Sequence, residues 1–148
     1  MRGFTISSTL PAPAESVWEF VTSPEGVNHE LGPLLRMTVP RGTDLVIREG
    51  HLGRSWVLLA GVLPVDYDDL YIARLDPGRG FSERSVMGSA RAWHHDRSVE
   101  ALAGGGCQVT DRIGFEPRVR SAGGLQQRVL GLLFRWRHRR LRDRFGRA

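Results

Sequence analysis

The chain opens with alternating residues. Phe4, Ile6, Ser8 and Leu10 interleave with Thr5, Ser7 and Thr9, the period of two that marks a strand with one face turned inward. Pro11 and Pro13 end it. The period then becomes helical: Val17, Trp18 and Val21 in AESVWEFV share a face, with Pro13 near the helix start. SPEG at 23–26 is predicted as a turn, and VNHEL as a second short helix stopped by Gly32 and Pro33. Leu35, Met37 and Val39 alternate as a strand. Residues 56–62 are strongly apolar and predict a buried strand. Residues 70–75 predict another, closed by the turn signal DPGRG at 76–80. Three more strands are predicted over 81–87, 91–102 and 107–116, the last two joined as a hairpin through Gly104, Gly105 and Gly106. From 122 to 145 the pattern is helical, with Leu125, Val129, Leu132 and Trp136 on one stripe that is expected to face the core.

Strand, two short helices, a run of strands and one long C-terminal helix make an α+β chain. Consecutive strands favour antiparallel pairing, and a long amphipathic helix can cover a curved sheet. One domain over 1–148 is expected, without repeats or linkers.

Composition narrows the class. With 148 residues, 41% hydrophobic and 25% charged, the chain is long and apolar enough to fold around a real core. Its one cysteine, Cys107, cannot form an internal disulfide or a four-cysteine zinc site. That points to a reducing, cytoplasmic compartment. No signal-peptide run and no transmembrane stretch is read. The net charge is +5 and lysine is absent, which is read as the codon usage of a GC-rich bacterial genome. Arg135, Arg137, Arg139, Arg140, Arg142, Arg144 and Arg147 crowd the last segment. At ~100° per residue, Arg128, Arg135, Arg139 and Arg142 are expected opposite the apolar stripe, as a solvated face. The alternative is a basic module that docks to nucleic acid or an anionic membrane surface.

The segment WHHDR at 93–97 raises a question of chemistry. Strand alternation puts Trp93, His95, Arg97 and Val99 on one face, and His94, Asp96, Ser98 and Glu100 on the other. The adjacent histidines therefore point apart and cannot share a metal. A hairpin loop of 102–106 places Ala101 opposite Cys107, Arg97 opposite Asp111 and Asp96 near Arg112, a charge-complementary register. The preceding strand adds Glu83 beside His95 and Ser85 beside Trp93. Glu83, His95, Arg97 and Asp111 then share the inner wall. They read either as a self-satisfied network or as a ligand-orienting or acid–base cluster. His29, Glu30 and His95 could approach one another, but no HExxH or other ligand spacing occurs, so no metal or cofactor is expected. Cys107 lies at a hairpin end with no helix N-terminus beside it. No G-x-S-x-G is present, and the triple glycine precedes no helix.

The stretch PAPAESVWEFVTSPEG at 11–26, WHHDR followed by GGGCQVTDRIGF at 104–115, and LFRWRHRRL at 133–141 occur in that order along almost the whole chain. Together they resemble the START-like, polyketide cyclase/dehydrase and pollen-allergen (SRPBCC) superfamily. The resemblance implies a helix-grip fold of six or seven antiparallel strands around the long helix. It also implies an apolar cavity that carries lipids, hormones or polyketides, and enzymatic activity in only some members. On that reading a hydrophobic small molecule of lipid, polyketide or isoprenoid type lies against Trp56, Phe81, Trp93, Ile113, Phe115 and Trp136, oriented by Glu83, His95, Arg97 and Asp111. The alternative is a cyclase or dehydratase with His95 as general base, Glu83 or Asp111 orienting it and Arg97 polarising a carbonyl.

Overall fold

The computed structural model describes residues 1–40 and 47–146; Arg147 lies outside them. Among the described residues, seven strands form one antiparallel sheet: β1 (Arg2–Leu10), β2 (Leu35–Met37), β3 (Gly50–Leu59), β4 (Leu63–Asp76), β5 (Gly80–Met87), β6 (Ala90–Ala101) and β7 (Cys107–Pro117). Their order is β1-β7-β6-β5-β4-β3-β2. Helices α1 (Ala14–Val21) and α2 (Pro24–Leu31) follow β1, and α3 (Gly123–Phe145) closes the chain. Register shifts in β3, β4 and β6 add local bends, the usual means of curling a sheet. α3 packs along β1 and β7 and against α2. The α+β expectation of a sheet gripping a terminal helix holds.

SPEG is not a free turn. The Ser23 hydroxyl accepts from the Gly26 N–H at 3.0 Å and Pro24 opens the helix, so the segment is the capped first turn of α2. Gly26 is required there, because a Cβ would collide with the Phe20 carbonyl at the end of α1.

The WHHDR register is as expected: Arg97 pairs with Asp111, Ala101 with Cys107, Glu83 with His95 and Ser85 with Trp93. Alternate inward residues of β6 and β7 build two apolar clusters. Leu10, Val17, Val99, Val109 and Leu141 form one; Trp93, Ile113, Phe115 and Phe134 form the other. The buried polar side chains of His95, Arg97 and Asp111 lie between them in strand order.

Two further expectations fail. Residues 56–62 are not a buried strand: β3 ends at Leu59, and Ala60 and Gly61 turn the chain at φ 51° and 80°. Ser55 and Val57 are buried, while Trp56 and Leu59 are exposed. The second failure is the phase of α3. Its buried residues are Phe134, Arg137, His138 and Leu141, an i, i+3, i+4, i+7 set. Leu125, Val129 and Leu132 are 69%, 56% and 64% exposed. At ~100° per residue, Arg128, Arg135 and Arg139 then sit beside this outer apolar stripe rather than opposite it.

Candidate functional site

The polar layer is built around Arg97, brought by β6 under α2 and α3. Its Nη1 and Nη2 donate to the two oxygens of Glu30 at 2.7 Å each, and its Nε and Nη2 donate to the two oxygens of Asp111 at 2.7 Å each. Four of its five N–H groups are thereby committed. Asp111 also accepts from His95 Nε2 and from His138 Nε2, both at 2.7 Å. Glu30 accepts a further bond from Arg137 Nε at 3.1 Å. His138 Nδ1 meets the Ser8 hydroxyl at 2.6 Å, and that hydroxyl also accepts from Arg142. Burial alone would raise the Asp111 and Glu30 carboxyls. The Arg97 guanidinium outweighs it and holds Asp111 well below the usual carboxylate range and Glu30 below it, with Arg137 adding to the effect at Glu30. Two carboxylates and two guanidiniums balance, and the oxygens are filled. This half of the cluster is a closed structural network of the kind that buried charge requires.

Beside it lies a cavity of about 590 Å³ between the sheet, α2 and α3, a size typical of small-molecule sites. Leu31, Leu70, Ile72, Phe81, Trp93 and Leu133 give it apolar walls, and Ser55, Asp68, Glu83 and His95 a polar floor. His95 is edged by Phe81, Trp93 and Phe134, at centroid distances of 5.5, 6.4 and 5.3 Å. Its Nδ1 is 3.8 Å from Glu83 Oε1, too far for a hydrogen bond. Glu83 Oε2 instead accepts from the Ser85 hydroxyl at 2.6 Å. Burial pushes the Asp68 carboxyl well up, and Glu83 beside it pushes it further.

The family model described as "Domain of unknown function (DUF8410)" matches residues 8–145. The chain belongs to this family. No curated protein matches it. Among solved structures, protein CV1439 from Chromobacterium violaceum superposes with a TM-score of 0.77 at 14% identity, covering 100% of both chains. A START superfamily protein from Mycobacterium smegmatis gives 0.73 at 10% identity over 98% of this chain and 97% of its own. DynU16, from the dynemicin biosynthetic locus, gives 0.63 at 16% identity over 99% of this chain and 49% of its own. At such identities the likeness shows the fold, which is the START-like helix-grip fold.

Of the residues expected around a ligand, Phe81, Glu83, Trp93, His95 and Arg97 line the cavity. Trp56 does not: it is 43% exposed on the outer face, against Tyr67 and Arg54. Trp136 packs beside α2, its Nε1 donating to the Gly32 carbonyl at 3.1 Å. Ile113 and Phe115 are sealed in the apolar cluster, and Asp111 is buried behind His95. His29 turns to the Arg140 carbonyl at 3.3 Å, away from His95 and Glu30. Asp96 lies opposite Arg112 in the register, as expected, and its ion pair is made with Arg84 on β5 at 2.8 Å. Arg137, one of the arginines that crowd the last segment, is buried on Glu30. Sequence reasoning missed Asp68, Arg137 and His138, and weighed Glu30 only as a metal ligand rather than as the partner of Arg97. The signals were present: Asp68 has the parity of Leu70 and Ile72, and Arg137 and His138 have that of Phe134 and Leu141.

The two histidines of WHHDR should respond differently to the same change. His94 is half-buried opposite Arg84 on β5, and burial, then Arg84, lower its titration below the ordinary value. His94→Ala should change stability by no more than about 0.5 kcal/mol. His95→Ala removes a donor from buried Asp111 and three aromatic contacts, and should cost about 1–3 kcal/mol in urea unfolding. Equal losses would mean that the alternation is broken here.

Proposed function

We propose that the chain binds a hydrophobic small molecule of lipid, polyketide or isoprenoid size in the cavity between the sheet and α3. The observation that carries this is the 590 Å³ space with Leu, Ile, Phe and Trp side chains on its walls, and with Ser55, Asp68, Glu83 and His95 grouped on the adjacent strands β3 to β6. A START superfamily protein and a dynemicin-locus protein among the structural neighbours agree with it. A catalytic role for Arg97 gains no support, since both of its faces are occupied by carboxylates. Native mass spectrometry of the protein purified from its own host tests the reading. A one-to-one adduct lost on denaturation is expected; repeated recovery of ligand-free protein that also takes up no apolar probe would count against it.

A second reading is favoured by the outer face of α3. Leu125, Val129 and Leu132 are exposed, Leu125 and Val129 line the cavity, and Arg128, Arg135 and Arg139 flank them. Apolar residues edged by arginine suit an anionic lipid surface, at the place where an apolar ligand would enter. No helix among the described residues is long and apolar enough to cross a membrane. The protein should sediment with phosphatidylserine vesicles at low salt and be released by added salt. Changing Leu125, Val129 and Leu132 to serine should abolish sedimentation without lowering the melting temperature. Undiminished binding by that variant would remove this reading.

A further inference from the structure

We propose that Asp68 and Glu83 form the polar anchor of the cavity and select an amphipathic amine, with its ammonium seated on the two carboxyls and its apolar body against α3. The inference rests on the small-molecule reading of the cavity and adds the chemistry of the head group. Asp68 on β4 and Glu83 on β5 both line the cavity and are 4% and 5% exposed. Asp68 Oδ1 has no hydrogen-bond partner, alone among the buried side-chain polar atoms of the described residues. An orphaned buried oxygen is costly and calls for a partner that arrives later.

Charge decides what that partner is. The guanidiniums facing the cavity, Arg97 from β6 and Arg137 from α3, are matched by Glu30 from α2 and Asp111 from β7. Asp66, on the same strand as Asp68, is held by the Tyr67 and Ser89 N–H groups and the Ser89 hydroxyl. His95 stands 3.8 Å from Glu83, and its other nitrogen serves Asp111. No cation is left for Asp68 and Glu83 among the described residues. Burial, then the neighbouring Glu83 carboxyl, raise the affinity of Asp68 for a proton, so the pair favours one shared proton and one net negative charge. An ammonium neutralises that charge. An alcohol leaves it, and a carboxylate doubles it in an apolar space. The rings of Phe81 and Trp93 on the same wall add attraction for a cation.

Dodecylamine, dodecanol and dodecanoate share one tail and differ in the head. Each would be used at neutral pH below its solubility or micelle-forming limit to displace the neutral fluorophore N-phenyl-1-naphthylamine. The amine should displace the probe at roughly tenfold lower concentration than the alcohol, with dodecanoate weakest. The protein's net charge of +5 would produce the reverse order at its surface, so an amine preference has to come from the cavity. Asp68→Asn or Glu83→Gln should abolish that roughly tenfold preference while leaving dodecanol unchanged; either variant suffices. Equal potency for the three heads, or dodecanoate in the lead, would overturn the anchor and leave the cavity reading intact. A probe that never binds, with no effect of any tail, would instead sink the cavity reading itself.

Discussion

Replacing Arg97 with methionine should cost about 3–5 kcal/mol, a large part of the stability of a domain of this size. The side chain is 2% exposed and holds two carboxylates that are themselves 0% exposed. Methionine fills much of the volume but leaves Asp111 and Glu30 facing each other without a cation, apart from the single Arg137 contact on Glu30. The cost is therefore that of uncompensated charge rather than of lost packing. Arg137→Met should cost much less, since it removes one 3.1 Å bond and leaves Glu30 its two bonds to Arg97. Replacing Arg97, Glu30 and Asp111 together by methionine, leucine and leucine should recover much of the loss. Chemical denaturation of the three variants reads all of this. A loss below about 1 kcal/mol for Arg97→Met would mean that water reaches the layer and that it is not sealed.

Acid should unfold the protein through the same layer, with Asp68 acting in the opposite direction. The folded-state titrations of Asp111 and Glu30 are lowered. The stability they bring is present in full above the unfolded carboxylate value of about 4, and is lost as pH falls through the folded value. The gap between the parent and Asp111→Asn should be wide at neutral pH and narrow in strong acid. Asp68 is raised. Its contribution is present in full below about pH 4 and is lost as pH rises through the folded value. Asp68→Asn should therefore stabilise the protein at neutral pH, with a gain that vanishes in acid. Melting temperatures across the acid-to-neutral range distinguish the two. Parallel curves for the parent and both variants would contradict the assignment of charge in the core.

What the sequence made legible follows from how each element is constrained. The β6–β7 register could be counted because the triple glycine fixes the hairpin and because aromatic and charged residues alternate cleanly on both sides of it. Glu83, His95, Arg97 and Asp111 were found together for that reason. The buried face of α3 was illegible because its inward positions are partly Arg137 and His138. Hydrophobicity then pointed to the clean leucine stripe that the fold leaves outside. Trp56 misled in the same way: β3 buries Ser55 and exposes Trp56, since the indole is accommodated against Tyr67 and Arg54 on the outer face. Asp68 escaped because the predicted strand began at Leu70, two residues too late to show its parity. In each case a polar residue occupies an inward position, and its parity shows only once the neighbouring inward residues are known.

The most direct test of the central claim is a titration with N-phenyl-1-naphthylamine of the parent protein and of Leu133→Trp. Leu133 lines the cavity from α3 and is half-buried, so an indole there should fill the space without crowding the sealed clusters. Saturable one-to-one binding by the parent, lost in a Leu133→Trp variant that melts normally, is the expected result. Equal binding by both proteins would place the probe on the outside of the molecule and contradict a ligand site between the sheet and α3.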